Sequence, residues 1–449
     1  RGFRMLKPHA LVALRRRYGL LAANGNAMAM FNLGRMHEGG EGGPEDAVEA
    51  RRLYCLAAAQ GHADAQFSLG VMHWHAEGGP EDCAETRRLF GLAAAQGNAD
   101  AQCHLGAMHD DGEGRPQDLV EARRLYGLAA AQGHALAQCN LGGMLADGEG
   151  GPEDLVEARR LYGLAAAQEH TDAQYRLGRM LTNGEGGPGD CAEARRLFGL
   201  AAAQGDADAQ CHLGAMHDAG EGGPQDLVEA RRLFGLAAAQ GHALAQYRLG
   251  TMLANGEGGS EDCAEARKTF GLAAAQGHAD AQYRLGAMHW HAEGGPEDCL
   301  EARRLFGLAA AQGHADAQCD LGAMHDDGEG GPEDLVEARR LYGLAAAQGH
   351  AVAQYRLGDM LANGEGGPHC TAWRRRRGTL WRRATSVACS PSARAAQRIS
   401  SRRGGCTAWR RRRSILMRST GSAACTGTPR VALRTARKRG GCSAWRRRR

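Results

Sequence analysis

Between residues 98 and 132, NADAQCHLGAMHDDGEGRPQDLVEARRLYGLAAAQ, the apolar positions fall into two blocks of helical spacing separated by a polar, glycine-rich break. Ala101, Leu105 and Met108 stand at i, i+4 and i+7, which puts them on one face of a first helix over about residues 99–109. Gly106 inside that helix costs roughly 1 kcal/mol of propensity, so its place there predicts close approach of a neighbouring helix. The stretch DGEGRP at 111–116 cannot continue the helix and reads as a loop. Asp118 and Glu121 then have capping-box spacing: the Asp118 carboxylate accepts from exposed amides of a second helix, and Glu121 reaches back to the cap amide. That second helix carries Leu119, Ala122, Tyr126, Ala129 and Ala130 on one face with Leu125 and Leu128 beside it, a surface wide enough for two neighbours. Glu121 and Arg124 form an i, i+3 pair, and Gly133 ends the helix in the left-handed conformation.

The pattern recurs without an inserted residue. Leu33-Gly34 returns every 36 residues, through Leu69-Gly70 and Leu105-Gly106, to Leu357-Gly358, which makes ten copies. The chain opens part-way through an eleventh, since Tyr18-Gly19-Leu20 stands where Tyr126-Gly127-Leu128 stands later. With Arg1 as first residue, a shortened N-terminus is expected. A longer period of three copies lies over the short one, because Cys83 and Cys103 return as Cys191 and Cys211 and again as Cys299 and Cys319. Such fidelity predicts recent tandem duplication. A residue seen in many copies is therefore one observation. Helix, loop, helix and short turn at a fixed period predict an all-α fold, a right-handed α-solenoid of 36-residue helix-loop-helix repeats.

The strings A-x-A-Q-x-x-L-G-x-M, G-E-G-G-P-E-D-x-x-E-A-R-R-L-Y and A-A-A-Q-G resemble the Sel-one-like repeat, a relative of the tetratricopeptide repeat, over Ala10 to Pro368. The inter-helix loop is richer in glycine than that family's usual pattern. The resemblance implies scaffolding or adaptor work, with peptide or protein partners along the concave surface. It also implies an alternative, because some cysteine-rich members are credited with hydrolase activity. Their helix-bridging C-x7-C spacing does not occur here.

Chemistry has little to build on. Nine of the 14 cysteines lie in the repeats and share columns with Tyr175, Phe67 and Leu119, so they are expected as core filler with free thiols, which favours an intracellular, reducing compartment. Histidine recurs after the turn glycine (His62, His134, His242, His278, His314, His350) and at the end of the first helix (His37, His73, His109, His217, His289, His325). Each column appears once per 36 residues, so no local i, i+4 metal pair arises. The loop glycines follow no strand and lack the lysine of a phosphate loop. No catalytic residue, cofactor, metal or small-molecule substrate is predicted. The candidate partner anchors are Trp74 and Trp290 with their neighbours His73, His75, His289 and His291, on the expectation of an exposed tryptophan beside histidine. The apolar run at 10–14 is too short for a membrane span.

Charge divides the chain. The segment from His369 to Arg449 holds 24 of the 55 basic residues and none of the 51 acidic ones, so the array of residues 1–368 is near −20 and the tail near +24. At face value an arginine-rich tail with Trp373, Trp381, Trp409 and Trp445 suggests nucleic-acid or acidic-surface binding, whereas the acidic array argues against nucleic acid. A second reading is favoured. CTAWRRRR at 370–377 and 406–413 and CSAWRRRR at 442–449 keep the 36-residue period while losing the repeat's residues. Written in GC-rich codons and read one base later, Leu-Tyr-Gly-Leu-Ala-Ala-Ala-Gln becomes Cys-Thr-Ala-Trp-Arg-Arg-Arg-Arg. The tail is thus expected to be an out-of-frame translation of further repeats and, without apolar periodicity, a disordered basic segment. The last first helix, near 351–361, loses its partner to the shift, and its apolar face is expected to be uncapped.

Overall fold

The computed structural model describes residues 7–113 and 116–367. Among them all regular structure is helical. The frame and disorder expectations for the basic tail lie outside the described residues. The chain divides between Glu297 and Asp298 into two compact units. The first holds α1 (Pro8–Ala23), α2 (Ala27–Glu38), α3 (Ala47–Ala59), α4 (Ala63–Trp74), α5 (Cys83–Ala95), α6 (Ala99–Asp111), α7 (Leu119–Ala131), α8 (Ala135–Asp147), α9 (Leu155–Ala167), α10 (Thr171–Asn183), α11 (Cys191–Ala203), α12 (Ala207–Ala219), α13 (Leu227–Ala239), α14 (Ala243–Asn255), α15 (Cys263–Ala275) and α16 (Ala279–Trp290). The second holds α17 (Cys299–Ala311), α18 (Ala315–Asp327), α19 (Leu335–Ala347) and α20 (Ala351–Ala362). Within each, helices pack on their neighbours in sequence, α2 on α3, α3 on α4 and so on, which is the nearest-neighbour arrangement of an α-solenoid.

Each helix from α2 to α20 starts where a side chain satisfies an exposed amide. Asp118 Oδ1 accepts from the Glu121 amide at 3.0 Å, as the spacing predicts. Glu121 does not reach back to the cap. Its carboxylate takes the Arg124 guanidinium at 2.8 and 2.6 Å, because the Asp118 amide already donates to the His109 carbonyl at 2.9 Å. The first helices are capped by the histidine after the turn: His134 Nδ1 accepts from the Ala137 amide at 3.2 Å, a role that Asn98 and Asp206 play elsewhere with side-chain oxygens. The turn itself needs a positive φ, met by Gly133 at 87° but by Glu169 at 63° in one copy.

The core is a repeated seat. Gly106 faces the Tyr126 ring so closely that a Cβ there would stand 3.0 Å from it, which explains a glycine inside a helix. Tyr54, Phe90, Tyr126, Phe198 and Phe234 are fully buried in this way, each contributing about 2–3 kcal/mol. Ala101, Leu105 and Met108 line the first-helix side, and Ala122, Leu125, Ala129 and Ala130 the second-helix side. Leu128, expected beside that face, is 43% exposed, since it lies on the outward side of α7. Two cysteine columns also part company. Cys103, Cys139, Cys211 and Cys319 are buried and in no disulfide, as core filler should be, whereas Cys55 and Cys83 are exposed at second helices.

Between copies runs a row of buried amides. Gln102 Nε2 donates to the Ala94 carbonyl of the preceding copy at 3.1 Å, and its Oε1 accepts from Gln132 at 2.8 Å. Gln66, Gln138, Gln174, Gln210, Gln246 and Gln318 repeat both bonds. A buried amide satisfied on both sides fixes register more than it adds stability.

Candidate functional site

The glycine-rich loops are held by arginine. Arg51 on α3 sends Nη1 to the Glu77 carbonyl and Nη2 to the Pro80 carbonyl, both at 3.2 Å, and Nη2 meets His73 Nδ1 at 2.8 Å. A Cβ at Gly78 would collide with the Ala47 carbonyl, and one at Gly79 with the Arg51 guanidinium, so the glycines admit the clamp. Arg15, Arg195, Arg267 and Arg303 reach His37, His217, His289 and His325 in the same way. Burial, then the adjacent guanidinium, lowers the proton affinity of His37, His73, His217 and His325. His37, His73, His217, His289 and His325 are thus structural, each with its ring held by an arginine.

Against the repeated loops and core, the solvent side of the first helices varies from copy to copy. The position after Leu-Gly is Arg35, Val71, Ala107, Arg179, Thr251 or Asp359, part-buried or exposed in each. Two residues before Leu-Gly's leucine stand aromatics or cysteine, and next to it Asn32, Ser68, His104, Arg176, Arg248 or Asp320. On this side α10, α12 and α14 enclose a hollow of about 290 Å³, lined among others by Arg179, Thr182, His212, Asp218, Glu221 and Arg248. Arg176 is tied to Asp172 four residues earlier, at 2.9 Å, whereas the equivalent of that acid behind Arg248 is Leu244. Arg248 is exposed and lines the hollow together with Arg179, whose guanidinium lies 6.0 Å from the Tyr175 ring centroid. His212 packs on Tyr175 and Phe198 at 5.3 and 5.5 Å, with Nδ1 2.9 Å from the Asp208 carbonyl oxygen. The hollow combines aromatic surface with cationic and anionic groups, which suits a peptide. Sequence reasoning missed it; the signal was one surface column that varies at a fixed period.

The tryptophans are less open than expected. Trp74 is half-buried against Phe90, 5.8 Å away, and His104 of the next copy, 6.0 Å away, and stacks on His75. Trp290 is half-buried and lies 5.3 Å from His291, with which it stacks. His73 and His289 are taken up by the arginine clamp. Each tryptophan is thus part-buried at the end of a first helix.

Three cap histidines also pair with an acid in the first turn of the preceding first helix. His134, His242 and His350 direct Nε2 to Asp100, Asp208 and Asp316 at 3.1, 3.0 and 3.0 Å. The bond to His134 holds the Asp100 carboxyl below its ordinary range. His242 is pushed up to about 10 by its bond to Asp208 and by Cys211, although its Nδ1 also accepts from the Ala245 amide at 3.1 Å, which a second ring proton would displace. Burial pushes the Cys103 and Cys319 thiols up to about 12, opposite to the shift of an activated thiolate. Among the described residues no group of three or more His, Cys, Asp or Glu gathers to hold a metal, and no helix is long and apolar enough to cross a membrane.

The Sel1 repeat family model matches ten times, at residues 27–62, 63–98, 99–134, 135–170, 171–206, 207–242, 243–278, 279–314, 315–350 and 351–369. No curated protein matched the chain. Among solved structures, c5321, a protective antigen of uropathogenic Escherichia coli strains displaying an SLR fold, is 28% identical with a TM-score of 0.61, over 93% of this chain and 99% of its own. A Sel1 repeat protein from Oxalobacter formigenes is 32% identical with a TM-score of 0.54, over 69% of this chain and 89% of its own.

Proposed function

Because the chain belongs to the Sel1 repeat family, a fold of the general protein-interaction scaffold type, we propose that it is a non-catalytic adaptor that binds peptide or protein segments along its first-helix face. One observation carries this reading: on a repeated frame of core, caps and loop clamps, exposed and part-buried first-helix positions differ from copy to copy, from Arg179 to Ala215 to Thr251. A surface that varies on a constant frame distinguishes partners. Arg179 and Arg248 supply charge to the hollow, and Trp74 and Trp290, beside His73, His75, His289 and His291, supply aromatic edges for anchoring. The C-x7-C spacing of the members credited with hydrolase activity does not occur in this chain, which favours the adaptor reading over the hydrolase alternative.

The test is cross-linking of the full chain to a bound partner, followed by charge reversal. Arg179→Glu with Arg248→Glu should weaken the complex at least about tenfold, a loss of about 1.4 kcal/mol. Val120→Glu, on the outward side of α7 and 69% exposed, should leave it unchanged. A partner that tolerates the first pair and is lost with the second substitution would place binding on the opposite surface and end the proposal.

A further inference from the structure

Among the described residues the last helix, α20, is half of an interface whose other half can be read from the rest of the molecule. Each earlier first helix from α2 to α14 sets its glycine against a Tyr or Phe of the following second helix: the ring would meet a Cβ at 2.7 Å at Gly34, 2.6 Å at Gly70 and 2.8 Å at Gly178. At Gly358 on α20, the same column, no described residue lies within 4 Å. The helix around it is open: Val352 is 52%, Tyr355 72% and Leu361 51% exposed. Gln354 still donates to the Ala346 carbonyl at 3.3 Å, but the amide that reaches the equivalent Oε1 elsewhere, as Gln348 reaches Gln318 at 2.8 Å, has no counterpart among the described residues. The loop beyond α20 nonetheless follows the path of a complete copy. Glu365 donates to the Met360 carbonyl at 2.8 Å, as Glu149 does to Met144, and Gly366 at φ 66° tucks against the Leu335 carbonyl, as Gly150 does against Leu119.

We propose that this face of α20 is a docking site for an amphipathic helix of the second-helix kind, one that presents Ala-x-x-Leu-Tyr/Phe-x-x-Ala-Ala and ends in glutamine. The seat for its aromatic ring is Gly358, and the acceptor for its terminal amide is Gln354 Oε1. The occupant's chemistry comes from the interface continued by α20, which the chain forms repeatedly within itself, so shape and hydrogen bonding are both specified. The site is separate from the first-helix hollow and does not depend on the adaptor reading.

The probe is a labelled peptide copying residues 333–348, EDLVEARRLYGLAAAQ, titrated with the full chain and followed by fluorescence anisotropy. Saturable binding is expected, weakened at least about tenfold by Gly358→Leu in the chain, and equally by Tyr342→Ala in the peptide, which leaves the chain untouched. Binding that ignores both substitutions overturns the assignment, as does no binding up to about 1 mM. Binding that appears only after deletion of residues 369–449 also overturns it, by showing that the chain's own tail fills the face. Concentration-dependent self-association that the peptide cannot displace would instead make the face a contact between copies.

Discussion

Replacing Gly70 and Gly91 by alanine sets two effects of known sign against each other within one copy of the repeat. Both glycines are helical, and each alanine should gain about 1 kcal/mol of propensity. At Gly91 on α5 nothing lies within 4 Å of the new Cβ, so that gain stands. At Gly70 on α4 the Cβ would stand 2.6 Å from Phe90 Cε1 and 2.8 Å from Cδ1, and Phe90 is fully buried with no room to swing aside. Overpacking of this kind costs about 1–3 kcal/mol, so the net change at Gly70 is a loss of up to about 2 kcal/mol, opposite in sign to Gly91. Gly358→Ala, at the uncovered seat, should follow Gly91. A linear array opens locally, so the measurement is amide hydrogen exchange of the full chain resolved by copy, and the change should be largest in residues 63–98. Phe90→Leu in the Gly70→Ala background should return part of the loss, a coupling that only direct contact produces. Slower exchange in Gly70→Ala, matching Gly91→Ala, would refute the claim that the glycine is kept for the ring.

Four further outcomes follow from the same geometry. Asp226→Ala removes the carboxylate that accepts from the Glu229 amide at 3.0 Å and should cost about 1 kcal/mol, read as faster exchange at the start of α13; no change there would show that water caps the helix equally well. Glu169→Gly relieves a φ of 63° in a side chain that tolerates it poorly, and a gain of about 1 kcal/mol in the α9–α10 turn is expected, with a loss counting against it. In a histidine-resolved proton NMR titration, His37, His73, His217 and His325 should titrate below 6.5 and His242 above it. The lowered group binds protons more readily unfolded than folded, so its stabilisation is complete above 6.5 and is lost as pH falls through the folded value; His242 has the opposite sign, and one common midpoint for all five would contradict both. Sequencing the transcript across the codons for Gly364 to Arg377 should restore Leu-Tyr-Gly-Leu-Ala-Ala-Ala-Gln at residues 370–377 one base earlier; unrelated residues or stop codons in that frame would make the tail a genuine basic arm.

Periodicity made the helices, the loop and the reason for Gly106 legible before any coordinates, because each depends on residues within one helical turn or one column. What it did not reveal depends on partners in the neighbouring copy. Arg51 looks like a surface charge until it meets carbonyls 26 and 29 residues away. Trp74 looks exposed until Phe90 and His104 close over it. Leu128 and Cys83 have the apolarity of core residues but face outward, since a second helix that is apolar on most sides does not declare which strip is covered. His134 was legible as a turn residue and not as a cap, because the ring nitrogen substitutes for the usual side-chain oxygen. The candidate hollow went unread because Arg179 and Arg248 sit two copies apart and become neighbours only through stacking.

The row of paired glutamines has a consequence for how such a chain changes length. Gln102 and Gln132 offer the same donor and acceptor as Gln138 and Gln168, so the junctions bridged by these glutamine pairs are chemically interchangeable. Recombination between misaligned copies therefore adds or removes whole 36-residue modules without creating a joint the molecule does not already contain. A slip by any other number of residues strands a buried amide at the seam. Growth by whole modules is thus tolerated by the fold, and a shift of reading frame is the kind of change it cannot absorb.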